Sequence, residues 1–394
     1  MVKRHFTIPH FVRNISIELL QAYFKQANII YPDNLNTPKN NSQPNEQAIS
    51  QYINTLDTKL QDKITQDFIE INELAYEGGI ASIIDVANTF SVKIQEKFDK
   101  LESDTNKALF CFLEYQEIFE RASQIAFFEG LTSKTVINGF AQYSVEQISS
   151  EEVKTELETE LKIYFKQTDG RGENCKVEII PHQDRVFYHA LPQNYSEYIH
   201  SYNEKGELQR NIVKPIFNIA FIFYYKEGKF ELSVNFGNKR RKQLIDIFNK
   251  VVLKSDTDIE DNKQAYDFNK ILLSEFTMPI KLEDKIEFVY LKQVRLSYKY
   301  VPTKKVIIEV EDKKSGGAIA IHEMIKELRL DTEQLNVTQA TFKIKFEGIG
   351  NKGSVTAMIS FPDKCNLSDT PTHQKAKEYL KYWGLEINDD NGNI

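Results

Sequence analysis

Four consecutive cations, Lys239-Arg240-Arg241-Lys242, follow Gly237 at the point where an amphipathic helical pattern begins. A helix start carries positive partial charge, so each cation there costs roughly a few tenths of a kcal/mol unless an anion answers it. The unpaired N–H groups of that first turn would add to such an anion site. Lys313-Lys314-Ser315-Gly316-Gly317 places a second basic turn before a second helical pattern. If the two segments pack side by side, Lys239, Arg240, Arg241, Lys242, Lys313 and Lys314 line one edge and track a phosphate backbone. The plainer reading is a solvated charge run relieved by Glu231, Asp246 and Asp312, because short basic runs are common.

Glu311-Asp312-Lys313 follows a strand pattern and matches the E-x-K half of a metal-dependent nuclease site. There an acid holds a divalent cation and a lysine positions or activates water. Glu311 and Lys313 are the candidate catalytic pair. The chemistry also needs an acid on a neighbouring strand, for which only Glu287 and Asp284 offer themselves. Glu283-Asp284-Lys285 repeats the motif, a measure of how unspecific it is.

His182-x-Asp184, with His189 beyond, puts two ligand types on one strand face. No third ligand stands at a recognisable spacing, so neither a metal nor another cofactor is expected. Tyr188, Tyr195, Tyr198 and Tyr202 lie among Arg185 and His200. Such an aromatic and basic mixture can stack on unpaired bases, although packing beneath a loop is the commoner fate. The P-loop, G-x-S-x-G and H-E-x-x-H patterns are missing. Gly348-x-Gly350-x-x-Gly353 has dinucleotide-site spacing but falls between two alternating strand patterns, which makes it a hairpin turn.

The elements that must carry these residues divide into two kinds. Residues 1–170 read as helices, interrupted at 31–47 by a Pro- and Asn-rich flexible loop. Ile17, Leu20, Phe24 and Ala27 share one helical face, and Phe68, Ile71, Leu74 and Ala75 form a stripe that stops at Gly78-Gly79. Ile80–Leu101 and Asp104–Phe128 continue the pattern. Ser149-x-x-Glu152 has the form of a capping box for a helix ending near Gly170.

From 171 to 394 the period turns strand-like, beginning with a pairing of Val177–Ile180 and Arg185–Leu191. Tyr195–Lys214 is polar and reads as an irregular loop. Ile219–Tyr225 is an unbroken apolar run, suited to a strand covered on both faces. Phe230, Leu232, Val234 and Phe236 alternate with polar residues, and a helix follows. The plan recurs twice: Val294, Leu296 and Tyr298 alternate with Arg295, Ser297 and Lys299, then Phe342, Ile344 and Phe346 with Thr341, Lys343 and Lys345. Residues 216–253, 287–330 and 338–387 thus parse as three ββα units. The expected class is α+β: an N-terminal all-helical domain, then a mostly antiparallel sheet of ββα units with helices on one face.

A chain of 394 residues with 41% hydrophobic and 12% aromatic content supports well-built cores. Three scattered cysteines suit a reducing compartment. No run approaches a membrane span and the first residues lack a signal-peptide core, so a cytoplasmic protein without membrane contact is expected. The net charge of −7 hides an asymmetry: residues 1–160 hold about 14 of the 50 basic and about 24 of the 57 acidic groups. The expected function is therefore a non-catalytic intracellular subunit. Its acidic helical domain would dock a protein partner, and its α+β domain would bind nucleic acid or another polyanion. The alternatives are a divalent-metal nuclease of a bacterial phage-defence or mobile-element system, using Glu311 and Lys313, and a structural oligomer-forming protein.

Overall fold

Alternating apolar residues build one ten-stranded sheet, runs at helical spacing build the helices around it, and a separate two-stranded ribbon completes the strands. The structure, a computed structural model, describes residues 5–32, 35, 44–132, 134–137, 139–203, 205–255, 266–311, 313, 318–347, 353–361 and 364–386. Two compact units emerge, residues 1–131 with 368–375, and residues 132–367 with 376–394. The expected loop at 31–47, residues 256–265, Lys314 and the Gly348–Gly353 turn lie largely or wholly outside the described residues.

The first unit is helical: α1 Ile8–Val12, α2 Ile17–Gln26, α3 Glu46–Thr55, α4 Thr58–Leu74, α5 Glu77–Thr89, α6 Gln95–Phe98, α7 Asp104–Glu114 and α8 Gln116–Glu129. Ser16, Asn45, Asp57 and Ser103 cap helices by accepting a backbone N–H from three residues on. Phe68 is the aromatic hub, with ring centroids 4.6 Å from Phe11 and 5.0 Å from Tyr23. The Tyr23 hydroxyl donates to Asp67 at 2.7 Å. Gly78 and Gly79 do not end α4; they open α5, where a Cβ on Gly79 would lie 2.3 Å from the Leu74 carbonyl oxygen. Two tightly joined helices require glycine there.

The second unit starts with β1 Lys134–Ile137, α9 Val145–Ile148 and α10 Glu151–Asp169. The capping box belongs to α9, with Ser144 and Gln147, and α10 is capped by Ser150. Then come β2 Cys175–His182, β3 Arg185–Pro192, β4 Glu197–Tyr202, β5 Leu208–Val213, β6 Ile219–Tyr224, β7 Lys229–Ser233 and α11 Asn238–Val251. They are followed by β8 Ile286–Tyr298, β9 Lys305–Glu309, α12 Ile319–Glu327, β10 Leu335–Phe346, β11 Ser354–Ser360, β12 Lys364–Cys365 and α13 Pro371–Tyr382. The sheet order is β2-β3-β6-β7-β1-β12-β11-β10-β8-β9, and every pairing is antiparallel. All three hairpin-plus-helix units form. The short strands β1 and β12 stitch the first to the other two.

Two cores occupy opposite faces of that sheet. Leu157, Leu161 and Phe165 of α10 and Leu244 and Phe248 of α11 pack on Tyr188, Phe221, Phe230 and Leu232. Ile321 of α12 and Ala376, Tyr379 and Leu380 of α13 pack with Val294, Phe342, Ile344 and Ile359. Register links the halves: Leu232 stands opposite Thr135, Thr135 opposite Lys364, and Ser360 opposite both Lys364 and Gln339. Directly opposed residues share a face. The face that α10 and α11 cover in one half is therefore the polar face in the other. Within each half the helices gather on one face, but the two halves use opposite faces. Helix α10, placed by sequence with the helices of residues 1–170, packs in the sheet unit, because an amphipathic stripe does not specify which apolar surface it meets.

Candidate nucleic-acid interface

The four cations at the start of α11 are not equivalent. Arg240 makes an ion pair with Asp169 and lies 5.1 Å from the Phe236 ring. Asp169 is nearly inaccessible and also holds Arg171 at 2.9 Å. The Arg171 guanidinium sits 4.2 Å from the Phe217 ring and 5.3 Å from Tyr195, and donates to Asn194 at 2.7 Å. Arg240 is thus a structural cation that shares a buried carboxylate. Arg241 is half-buried and reaches Asn238 at 3.3 Å, while Lys239 and Lys242 are exposed.

Lys313 does not join them along one edge. Five strands separate β7 from β9, and α11 and α12 belong to the opposite-face cores. The side-by-side arrangement of the two basic turns is thereby overturned. Lys313 instead stands over the Phe288 ring, with Nζ 5.5 Å from the centroid. Glu311 is exposed, and among the described residues no group of three or more His, Cys, Asp or Glu could hold a metal ion. Burial raises the Tyr290 hydroxyl pKa, and Glu311 adds to the shift.

What Lys313 borders was not singled out from sequence. On the polar face of β8 and β10, Tyr290 stands opposite Lys343 and Phe288 opposite Lys345. Arg295 stands opposite Gln339, and Thr341 opposite both Gln293 and Met358. The Lys343 ammonium donates to Thr356 at 2.9 Å. By register Lys305 and Lys364 share this face, as does Glu309, whose carboxylate is paired with Lys292 at 3.1 Å. Most of these side chains are half-buried or exposed, with Tyr290 and Thr341 buried. The alternation of Lys343 and Lys345, and of Arg295, is visible in the sequence. Their meeting beside two aromatic rings depends on strand order.

The remaining candidates resolve into structure. His182 and His189 share a face but stand four positions apart along the β2–β3 ladder, opposite Arg185 and Glu178 respectively. Four positions along a strand is about 13 Å, too far for one metal. Tyr188 is core, its hydroxyl donating to the Ile148 carbonyl at 2.8 Å. The segment expected to be an irregular loop is the two-stranded ribbon β4–β5, and its Tyr195, Tyr198 and Tyr202 are exposed instead of packed beneath a loop. Ser368 Oγ lies 2.8 Å from His373 Nδ1, a nucleophile–base spacing. The Ser368 amide also donates to that nitrogen at 3.1 Å, and Ser368 is buried, so the contact ties the turn before α13. Burial pushes the Cys111 and Cys175 thiols up to about 12, which leaves them poor nucleophiles. No family model matches the chain, and no curated protein matches it.

Proposed function

We propose that the protein is a non-catalytic binding subunit whose sheet unit engages nucleic acid or a similar polyanion on the polar face of β8, β10 and β11. The observation that carries the reading is the register of Tyr290 with Lys343 and of Phe288 with Lys345. It sets two rings beside two cations on one half-exposed sheet face. Arg295, Lys305 and Lys364 add positive charge, and Glu309 is a carboxylate on the same face. Lysines neutralise phosphates, while ring edges and faces contact bases. The acidic helical unit serves to dock a protein partner inside the cell.

The test is fluorescence anisotropy of the full chain against labelled single-stranded DNA, RNA and duplex DNA across a salt series. Binding should weaken steeply with salt and fall at least tenfold in Lys343→Glu/Lys345→Glu. Lys239→Glu/Arg241→Glu should have the smaller effect. Equal losses in the two double variants would return the site to the helix start, and no binding at low salt would remove the reading.

A further inference from the structure

The ribbon β4–β5 continues the β3–β6 hairpin past the ten-stranded sheet, joined to it through a bridge between Gln193 and Ile216. It is a separate two-stranded sheet. Such a pair has little stability alone in water, and among the described residues its side chains are mostly exposed. One face carries Tyr198, Tyr202, Leu208 and Ile212, which are 56%, 74%, 62% and 64% exposed. That is a concentration of apolar surface that single scattered residues do not explain.

Among the described residues the ribbon leaves the outer edges of both β4 and β5 unpaired, and β5 carries the cation Arg210. Edge strands are ordinarily guarded by lysine, proline or a bulge, which block pairing with another chain. The two edges of the large sheet follow that rule: β2 contains Lys176 and Pro181, and β9 begins at Lys305 just after Pro302. By contrast β4 reads Glu-Tyr-Ile-His-Ser-Tyr, with neither lysine nor proline.

We infer that β4 pairs antiparallel with the β4 strand of a second copy of this chain, joining two ribbons into a four-stranded sheet. A twofold axis perpendicular to the ribbon and passing through His200 keeps the same face outward in both copies. It sets Tyr198 opposite the second copy's Tyr202, and the reverse. Within each ribbon Tyr198 already faces Ile212 and Tyr202 faces Leu208. The joined sheet therefore carries two continuous apolar rows, each of four side chains, across four strands. Aromatic and aliphatic cross-strand pairs of this kind stabilise sheets, and a self-complementary patch is what a closed dimer requires.

Charge does not oppose the pairing. Arg210 stacks on Tyr198, its guanidinium carbon 3.7 Å from the ring centroid, and sits on the outer strand. Its counterpart would be three strand spacings away, about 14 Å, which exceeds the screening length of about 8 Å at physiological salt. Glu197, the charged side chain of β4, meets Asn203 in this register and not its own copy. A nucleic-acid partner is less favoured here because four of the six side chains on this face are apolar or phenolic, with only Arg210 and His200 to meet phosphate.

The mass of the full chain in solution, measured by sedimentation or light scattering, tests the inference independently of any nucleic-acid binding. The chain alone is 45.8 kDa. A dimer of twice that mass is expected, and Tyr198→Lys/Tyr202→Lys should return it to one chain while leaving the far-ultraviolet circular dichroism spectrum that of a folded protein. His200→Cys should form an interchain disulfide with a thiol oxidant such as diamide, while Gln209→Cys on the outer strand should not. A wild-type monomer over the accessible concentration range overturns the inference. So does a dimer that survives the double substitution, or one that cross-links through position 209 in preference to 200.

Discussion

Lys134 of β1 places its ammonium 3.0 Å from the carboxylate of Glu231 on β7, and both side chains are almost wholly withdrawn from solvent. The pair sits where the short strand β1 joins the two halves of the sheet. Lys229 approaches the other carboxylate oxygen at 2.8 Å. Removing one partner of a buried ion pair strands the other charge and costs about 3–5 kcal/mol. Lys134→Met should therefore lower unfolding stability in urea titrations, by no more than that amount because Lys229 still holds the carboxylate. Lys134→Met/Glu231→Leu should recover a large part of it, since apolar packing often equals such a pair. A double variant as unstable as the single one would mean that packing, not charge, is at stake.

The same carboxylate makes stability depend on pH. Burial alone would raise its pKa, but the ammonium groups of Lys134, Lys229 and Lys377 outweigh burial and hold it well below the usual range. A depressed folded-state value means that the contribution is complete above the unfolded carboxylate pKa of about 4.3 and is lost as pH falls towards the folded value. The gap in thermal midpoint between wild type and Glu231→Gln should be constant from neutrality to about pH 5 and should narrow below about pH 4. A gap that widens in acid would reverse the assigned direction.

Arg240 separates folding from binding. It shares buried Asp169 with Arg171, so Arg240→Glu sets two carboxylates against each other beside α10. We expect a stability loss of about 2–4 kcal/mol, against less than about 0.5 kcal/mol for Lys239→Glu on the surface. Chemical denaturation of the two variants decides it. A binding defect in Arg240→Glu alone would carry no information about a phosphate site.

Cys111, Cys175 and Cys365 are all buried and free. Raised thiol pKa values and lack of access should leave all three unreactive towards Ellman's reagent at pH 8 in the native state, with full reaction in denaturant. Rapid labelling of one thiol in native protein would show a local opening of its core.

The hairpins of the three ββα units were legible because each has one buried face, which writes a period of two into residues such as Phe342, Ile344 and Phe346. The ribbon β4–β5 was not, because Tyr198 to Ile212 lie outside any core and no burial imposes alternation. Strands β1 and β12 are too short to show a period at all, yet they decide the strand order. That order places the helices of the two halves on opposite faces, separates Lys313 from Lys239–Lys242, and brings Lys343 beside Tyr290. The cations of the candidate site were readable singly; their company was not, since it is set by pairings between segments some fifty residues apart.

Salt dependence distinguishes a phosphate-tracking sheet face from a general attraction to lysine-rich surface. On single strands the logarithm of affinity falls against the logarithm of salt with a slope of about −0.7 per phosphate neutralised. If Lys343 and Lys345 each neutralise one phosphate, Lys343→Gln/Lys345→Gln should make the slope shallower by about 1.4. Phe288→Ala should weaken binding by about 1–3 kcal/mol with the slope unchanged, because stacking releases no counterions. Tyr290, being buried, should lose stability as well when truncated, so Phe288 is the cleaner probe. A Phe288→Ala variant that alters the slope while leaving low-salt affinity intact would contradict the division of labour between ring and cation on this face.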